Sequence, residues 1–403
     1  MSEKSMNTNR RERTFRHRDR ISQVPIYLGK QFRFFINESD WKVIPMAAVI
    51  ALLVAVVIRN RIFASMEGCV IGSFAVTCVA LWNGCFNSIQ AICRERAIVK
   101  REHRSGMHIT SYVIAHMIYQ FVLCLAQTVI SLYVMKIAGV PFPQEGLFLK
   151  NMLIVEFGIT MLLISYAADM MSLFISSIAR STTAAMTVMP FVLIFQLVFS
   201  GGVIPLPERV QPLSHITISN YGIKAIASQC GYNKLPMAAG WTAVNSMKNS
   251  EIEETITVEK VMEILNSDAM AKHREETVIP AMTAGEAAGI LDLGPVANEN
   301  EMIIQEPVTF GELLDFANSS EWIGKRKDKS FTVKTTVQEL LDIFGEQRVK
   351  TYLQQKTAEA ARKPEYEQSR VNIVINWFFL CVFILGFALM STIALELIDK
   401  DKR

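Results

Sequence analysis

Eleven residues from Arg94 to Arg104, RERAIVKREHR, contain five Lys or Arg and two Glu. Charge at that density on a helix makes ion pairs and charge-assisted hydrogen bonds, which suit docking and register. Glu95 and Glu102 are seven apart, near one helical face. A cluster that only enforced membrane topology would need Lys and Arg but no acids. Two more acids, Asp169 and Glu156, lie inside a long apolar run. Intramembrane acids are costly, so each is either a functional group or a packing partner for a neighbouring span. Bond-breaking motifs are missing. Gly29-Lys30 and Gly324-Lys325 lack the earlier Gly and the following hydroxyl of a phosphate loop. No H-E-x-x-H or G-x-S-x-G occurs. The six His are scattered, with His103 and His108 five apart, wrong for one helical face. No catalytic residue and no metal site is expected.

The charged segment stands between apolar elements. The 403-residue chain is 51% hydrophobic, and its mean hydropathy of +0.26 points to a membrane protein. A net charge of +3 gives nucleic-acid binding no support. None of the seven Cys forms a C-x-x-C pair, and six fall in apolar stretches, where Cys packs as a small hydrophobe. The polar, basic start predicts no cleaved signal peptide.

Six runs reach the roughly 20 apolar residues that a spanning helix needs: 43–63, 69–93, 112–138, 149–178, 184–204 and 371–397. Arg59 and Arg61 sit near the far end of the first, and ARSTT, Ala179 to Thr183, reads as a tight turn between the fourth and fifth. Residues 1–42 carry ten Lys or Arg, the charged loop five and the tail DKDKR three. All fall on one side of a six-span arrangement, which predicts cytoplasmic N- and C-termini.

Residues 1–22 read as a disordered basic N-terminus. Gln23 to Trp41 mixes aromatic and basic residues and suits a helix in the membrane interface, apolar side down. Residues 23–235 form the membrane core. Residues 236–370 are polar and read as a separate extracytoplasmic insert, α-rich and possibly α+β. Thr283–Glu286, Thr309–Glu312 and Thr336–Glu339 each match a capping box. Residues 371–403 supply the last span and the tail. No repeat stands out beyond the similar ELLDF and ELLDI. Asn83, Gln120, Gln127 and Gln196 are expected to hydrogen-bond between spans.

Two stretches resemble a known family. LWNGCFNSIQAICRERAIVKREHRSGMHITSY, Leu81 to Tyr112, resembles the permease part of bacterial type-2 ABC exporters, kin of the eukaryotic G subfamily. The matching residues are Trp82, Gly84, Asn87, Ser88, Glu95, Arg96, Arg101, Glu102, Gly106 and Tyr112. Where that family often has Ser-Lys, this chain has Ala115-His116. VFSGGVIPLPERVQPLSHITISNYGIKAI, Val198 to Ile226, resembles the end of the family's fifth span and its re-entrant external stretch. The resemblance covers roughly residues 23–235 and the last span.

It implies an all-α integral membrane fold with six transmembrane helices, an N-terminal interfacial helix and a cytoplasmic coupling helix. It implies coupling to an ATPase through Glu95, Arg96, Arg101, Glu102 and Gly106. Asn83, Phe86, Asp169, Phe195 and Phe199 are the candidate translocation pathway. The expected partners are an ABC ATPase subunit, a second permease copy (the same chain or a homologue) and membrane lipids, with no nucleic acid. No cofactor is expected on this chain, with ATP and Mg on the ATPase. The reading is a half-transporter permease in the cell membrane exporting an amphiphile by alternating access. The alternative is a membrane-anchored sensor or scaffold whose external domain binds a ligand without transport.

Overall fold

The computed structural model describes residues 19–38, 40–59, 62–142, 146–148, 152–204, 206–267, 270–279, 282–283, 303–319 and 328–397. Two compact units emerge. One joins the segments 1–238 and 358–403, and the other is 239–357.

The first unit is helical. Helix α1 (Arg20–Asn37) is followed by a 3-10 turn (Asp40–Lys42) and by α2 (Val43–Ile58). Then come α3 (Met66–Ser88), α4 (Ala91–Arg104), α5 (Ile109–Ile137), α6 (Leu153–Ile178), α7 (Thr182–Val198) and α8 (Ile218–Gln229). Among the described residues, five helical stretches are long and apolar enough to cross a membrane: 40–58, 66–104, 109–137, 153–178 and 370–396. The chain is therefore an all-α integral membrane protein in this unit.

Several expected spans change at their ends. The second stops at Ser88, and Cys93 belongs to α4. The fifth, expected over 184–204, is α7, which ends at Val198 after 17 residues. At 1.5 Å per residue that is about 26 Å, short of the roughly 30 Å hydrocarbon layer. Chain direction changes just beyond, where Gly201 has φ +68°. Residues 20–22, expected in a disordered tail, are the first turn of α1, while residues 1–18 lie outside the described ones. Arg61 and the DKDKR tail do too.

Helix α3 packs along α6, and α5 lies against α1 and α2. Gly84 shows why α3 and α6 run so close. A Cβ there would collide with the Ser165 carbonyl and approach the Asp169 amide nitrogen at 2.9 Å. Only a residue without a side chain lets the two backbones meet.

The second unit opens with α9 (Ala239–Ser246). Strand β1 (Glu251–Thr257) pairs antiparallel with β6 (Ser330–Thr336) over seven positions, from Glu251↔Thr336 to Thr257↔Ser330. Between them are α10 (Val258–Leu265), β2 (Thr277–Ile279), β3 (Met282–Thr283), β4 (Ile303–Gln305), β5 (Val308–Thr309) and α11 (Phe310–Ser319). Helix α12 (Val337–Phe344) follows β6, and α13 (Glu346–Ala360) closes the unit.

A local unit recurs here that the capping-box motifs and the similar ELLDF and ELLDI foreshadow: a strand ending in Thr, whose side chain caps the next helix. Thr257 Oγ1 accepts from Lys260 N at 3.4 Å, Thr309 Oγ1 from Glu312 N at 3.3 Å, and Thr336 Oγ1 from Glu339 N at 3.3 Å. In the last two the Glu returns the bond, accepting from the Thr backbone amide at 2.9 and 3.0 Å. Both are the capping boxes expected from sequence. The third, Thr283–Glu286, runs outside the described residues.

The chain then rejoins the first unit through 358–369 and enters α14 (Arg370–Glu396). Asn233 Nδ2 donates to the Lys363 carbonyl at 2.9 Å, and Ser228 Oγ to the Glu367 carbonyl at 3.0 Å. These contacts place residues 358–370, expected in the insert, with the helical unit.

Candidate coupling helix and buried polar groups

Helix α4 follows α3 after only Ile89 and Gln90. The open amides at a helix start need acceptors. Ser176 of α6 provides one, its Oγ accepting from Ile92 N at 3.0 Å and Cys93 N at 3.1 Å. One turn on, Arg96 Nη1 donates to the Ser177 carbonyl at 2.8 Å and the Ala179 carbonyl at 3.3 Å. A guanidinium on the last carbonyls of α6 also complements the negative end of its dipole. The start of α4 and the end of α6 thus cap each other.

The acids of α4 turn inward. Glu95 is buried, with Lys30 Nζ of α1 at 3.1 Å, and Lys30 also reaches Glu102 at 3.4 Å. Arg94 binds Glu38 at 2.8 Å and Asp40 at 3.2 Å. Gly106 ends the helix with φ +102°, a conformation that suits glycine, and its amide donates to the His103 carbonyl. Gln23 of α1 holds the turn that follows: its Oε1 accepts from His108 N at 3.0 Å and its Nε2 donates to the Gly106 carbonyl at 3.3 Å. Tyr27 stands in the same corner, its hydroxyl held above the usual tyrosine range first by burial and then by the charge of Glu102.

Besides Arg94, which is paired with Glu38 and Asp40, α4 exposes Ala97, Ile98, Arg101 and Arg104, and the exposed Ser105 follows. These recur at helical spacing and form one stripe with two guanidinium groups. Of the five residues singled out for coupling, Arg101 is on that stripe. Glu95, Arg96, Glu102 and Gly106 hold or terminate the helix. Lys30, Gln23 and Ser176 complete the arrangement and were not singled out from sequence. Only the basic residue within an aromatic N-terminal segment offered a signal, and it did not identify Lys30's partners.

The candidate pathway residues are placed as follows. Asn83 is buried and donates to Ser131 Oγ at 3.2 Å. Asp169 is wholly buried, with the Cys124 thiol 3.5 Å from Oδ2. Phe86 lines a cavity beside α4. Phe195 and Phe199 pack on one another at the other end of α7, ring centres 4.8 Å apart. The Glu156 carboxylate accepts from the amides of Leu147 and Phe148.

The expected bridging amides pair as follows. Gln127 and Asn87 exchange bonds of 2.8 and 2.9 Å. Gln196 Oε1 caps α8 by accepting from Ile218 N at 2.7 Å. Among the described residues no cluster of three or more His, Cys, Asp or Glu could hold a metal ion.

Residues 32–229 match the family model described as ABC-2 type transporter. The chain is also similar to the ABC transporter ATP-binding/permease protein of Mycobacterium tuberculosis, 31% identical over 158 residues. That match covers 39% of this chain and 18% of the mycobacterial protein, so it spans under a fifth of the relative's length.

Proposed function

We propose, from the ABC-2 type transporter membrane domain at residues 32–229, that this transporter permease is the membrane half of an ATP-driven exporter. The mycobacterial relative's name joins ATP-binding and permease. For this chain we place ATP and Mg on a separate ABC ATPase subunit. A second permease copy, identical or homologous, completes the pathway. The charge distribution supports cytoplasmic termini, a cell-membrane location and an external 239–357 unit.

One observation carries the reading: the exposed stripe of α4 rides on a helix tied at both ends. Arg101 and Arg104, with Ile98 one turn before Arg101, dock on the ATPase. Glu95 and Glu102 on Lys30, and Arg96 on the end of α6, pass the displacement of α4 to α1 and α6. Nucleotide-driven movement of the ATPase then switches access to an amphiphilic substrate from inside to outside. Fixed charges across such an interface set orientation more than raw affinity.

Disulfide cross-linking from a cysteine at Ile98 to the co-expressed ATPase, with ATP-dependent amphiphile transport in proteoliposomes, tests this. A chain that neither cross-links nor transports would instead be a sensor or scaffold.

A further inference from the structure

Cys69 and Cys230 stand 161 positions apart, and no spacing motif links them. The fold brings them into one corner. Cys69 belongs to the first turn of α3, and Cys230 directly follows α8, which packs against α3. Cys69 Sγ lies 4.0 Å from the Ala227 carbonyl. In a helix a carbonyl points towards the residues three and four positions on. Here those are Cys230 and Gly231. The chain beyond them stays on the same turn of α3. The Pro236 carbonyl accepts from Met66 N at 3.0 Å, and Glu67 Oε2 accepts from Ala238 N at 3.1 Å.

Both cysteines are buried and belong to one apolar cluster. The Cys230 thiol is held well above the usual cysteine range, first by burial and then by a hydrogen bond with the Cys69 thiol. The proposed orientation puts the start of α3 and the end of α8 on the outer side, where disulfides form and persist.

We propose that Cys69 and Cys230 form a disulfide on the outer side, tying the end of α8 to the start of α3. Gln196 of α7 already caps the start of α8, so the bond fixes this short helix at both ends. The oxidant is a disulfide of the outer face, carried by a thiol–disulfide oxidoreductase or a small thiol. One cysteine thiolate attacks it, releasing one thiolate of the oxidant and leaving a mixed disulfide. The other cysteine thiolate then displaces the second. The two cysteines give up two electrons and two protons, and the oxidant is reduced to two thiols. Burial disfavours the thiolate, so exchange runs while the chain folds, before the corner closes. The inference rests on the orientation in the transport reading and on no other part of it.

The test uses the full chain in the membrane of intact cells. Lysis in sodium dodecyl sulfate with N-ethylmaleimide blocks every free thiol, and the chain is digested without reduction. Mass spectrometry should find the Cys69 and Cys230 peptides joined, with the mass of their sum less two hydrogens. Neither cysteine should carry maleimide before dithiothreitol, and both should accept it afterwards. In Cys69→Ala, Cys230 should be labelled directly. A second sample reads the orientation alone: a Ser105→Cys chain should not react with an impermeant maleimide added outside. Labelled Cys69 and Cys230 in wild type, with Ser105→Cys silent from outside, overturns the proposal and leaves the orientation standing. So does either cysteine joined to a different one. Labelled Cys69 and Cys230 with Ser105→Cys reactive from outside overturns the orientation, and the proposal with it.

Discussion

Lys30 of α1 sits between two acids of α4, 3.1 Å from Glu95 and 3.4 Å from Glu102. Glu95 is almost fully buried, whereas Lys30 and Glu102 are partly exposed. The ammonium therefore offsets a carboxylate that water cannot reach, and it joins the N-terminal helix to the element that offers its basic stripe outward.

Lys30→Met should leave Glu95 buried and unpaired, at a cost of about 2–3 kcal/mol. The purified chain should show a lower melting temperature. Adding Glu95→Gln should recover much of the loss, because a neutral amide needs less compensation. A double variant as unstable as the single one would show that Lys30 serves something other than Glu95.

The exposed stripe predicts a different outcome. Arg101→Glu with Arg104→Glu should change stability by less than about 0.5 kcal/mol, because exposed substitutions rarely cost more. Co-purification of the ATPase subunit should nevertheless drop. Arg96→Gln should instead lower the melting temperature, since two carbonyls at the end of α6 lose their donor. If the charge-reversed chain retains its ATPase in full, α4 does not dock through this stripe.

Gly84 should tolerate no side chain. Gly84→Ala forces α3 away from the Ser165 carbonyl, and overpacking of this kind costs about 1–3 kcal/mol. Gly84→Leu should abolish expression of folded protein. The check is the thermal melt of the Ala variant. An unchanged melt would mean that the two backbones separate at no cost.

In the 239–357 unit, the Thr336 amide and Thr335 hydroxyl hold the Glu339 carboxyl below the usual carboxylate range. A depressed folded value adds stability above the unfolded value of 4.5, lost as pH falls through the folded one. Glu339→Gln should therefore speed amide exchange across 337–344 at pH 7, and the difference from wild type should vanish in acid. A difference that persists at pH 2 would assign the effect to packing rather than to the capping carboxylate.

Local physics wrote much of this chain into its sequence. A helix in hydrocarbon needs a long apolar run. The 371–397 run therefore announced α14, and 112–138 announced α5 to within a turn. A capping box is contained in four residues, so Thr309–Glu312 and Thr336–Glu339 were legible before any fold was known. The shared face of Glu95 and Glu102 followed from helical periodicity once the family resemblance implied a helix there.

What that face meets did not follow. Lys30 lies 65 residues before Glu95 and Ser176 lies 83 after Cys93, and no periodicity links such distances. Gly84 reads as a helix-weakening residue until α6 arrives against it. The break at Ile89 and Gln90 was hidden because α3 and α4 join as one helical run with few breaking residues. Tertiary packing decided these points, because a buried ion pair, a backbone contact or an inter-helix cap exists only once two distant segments share the same few ångströms.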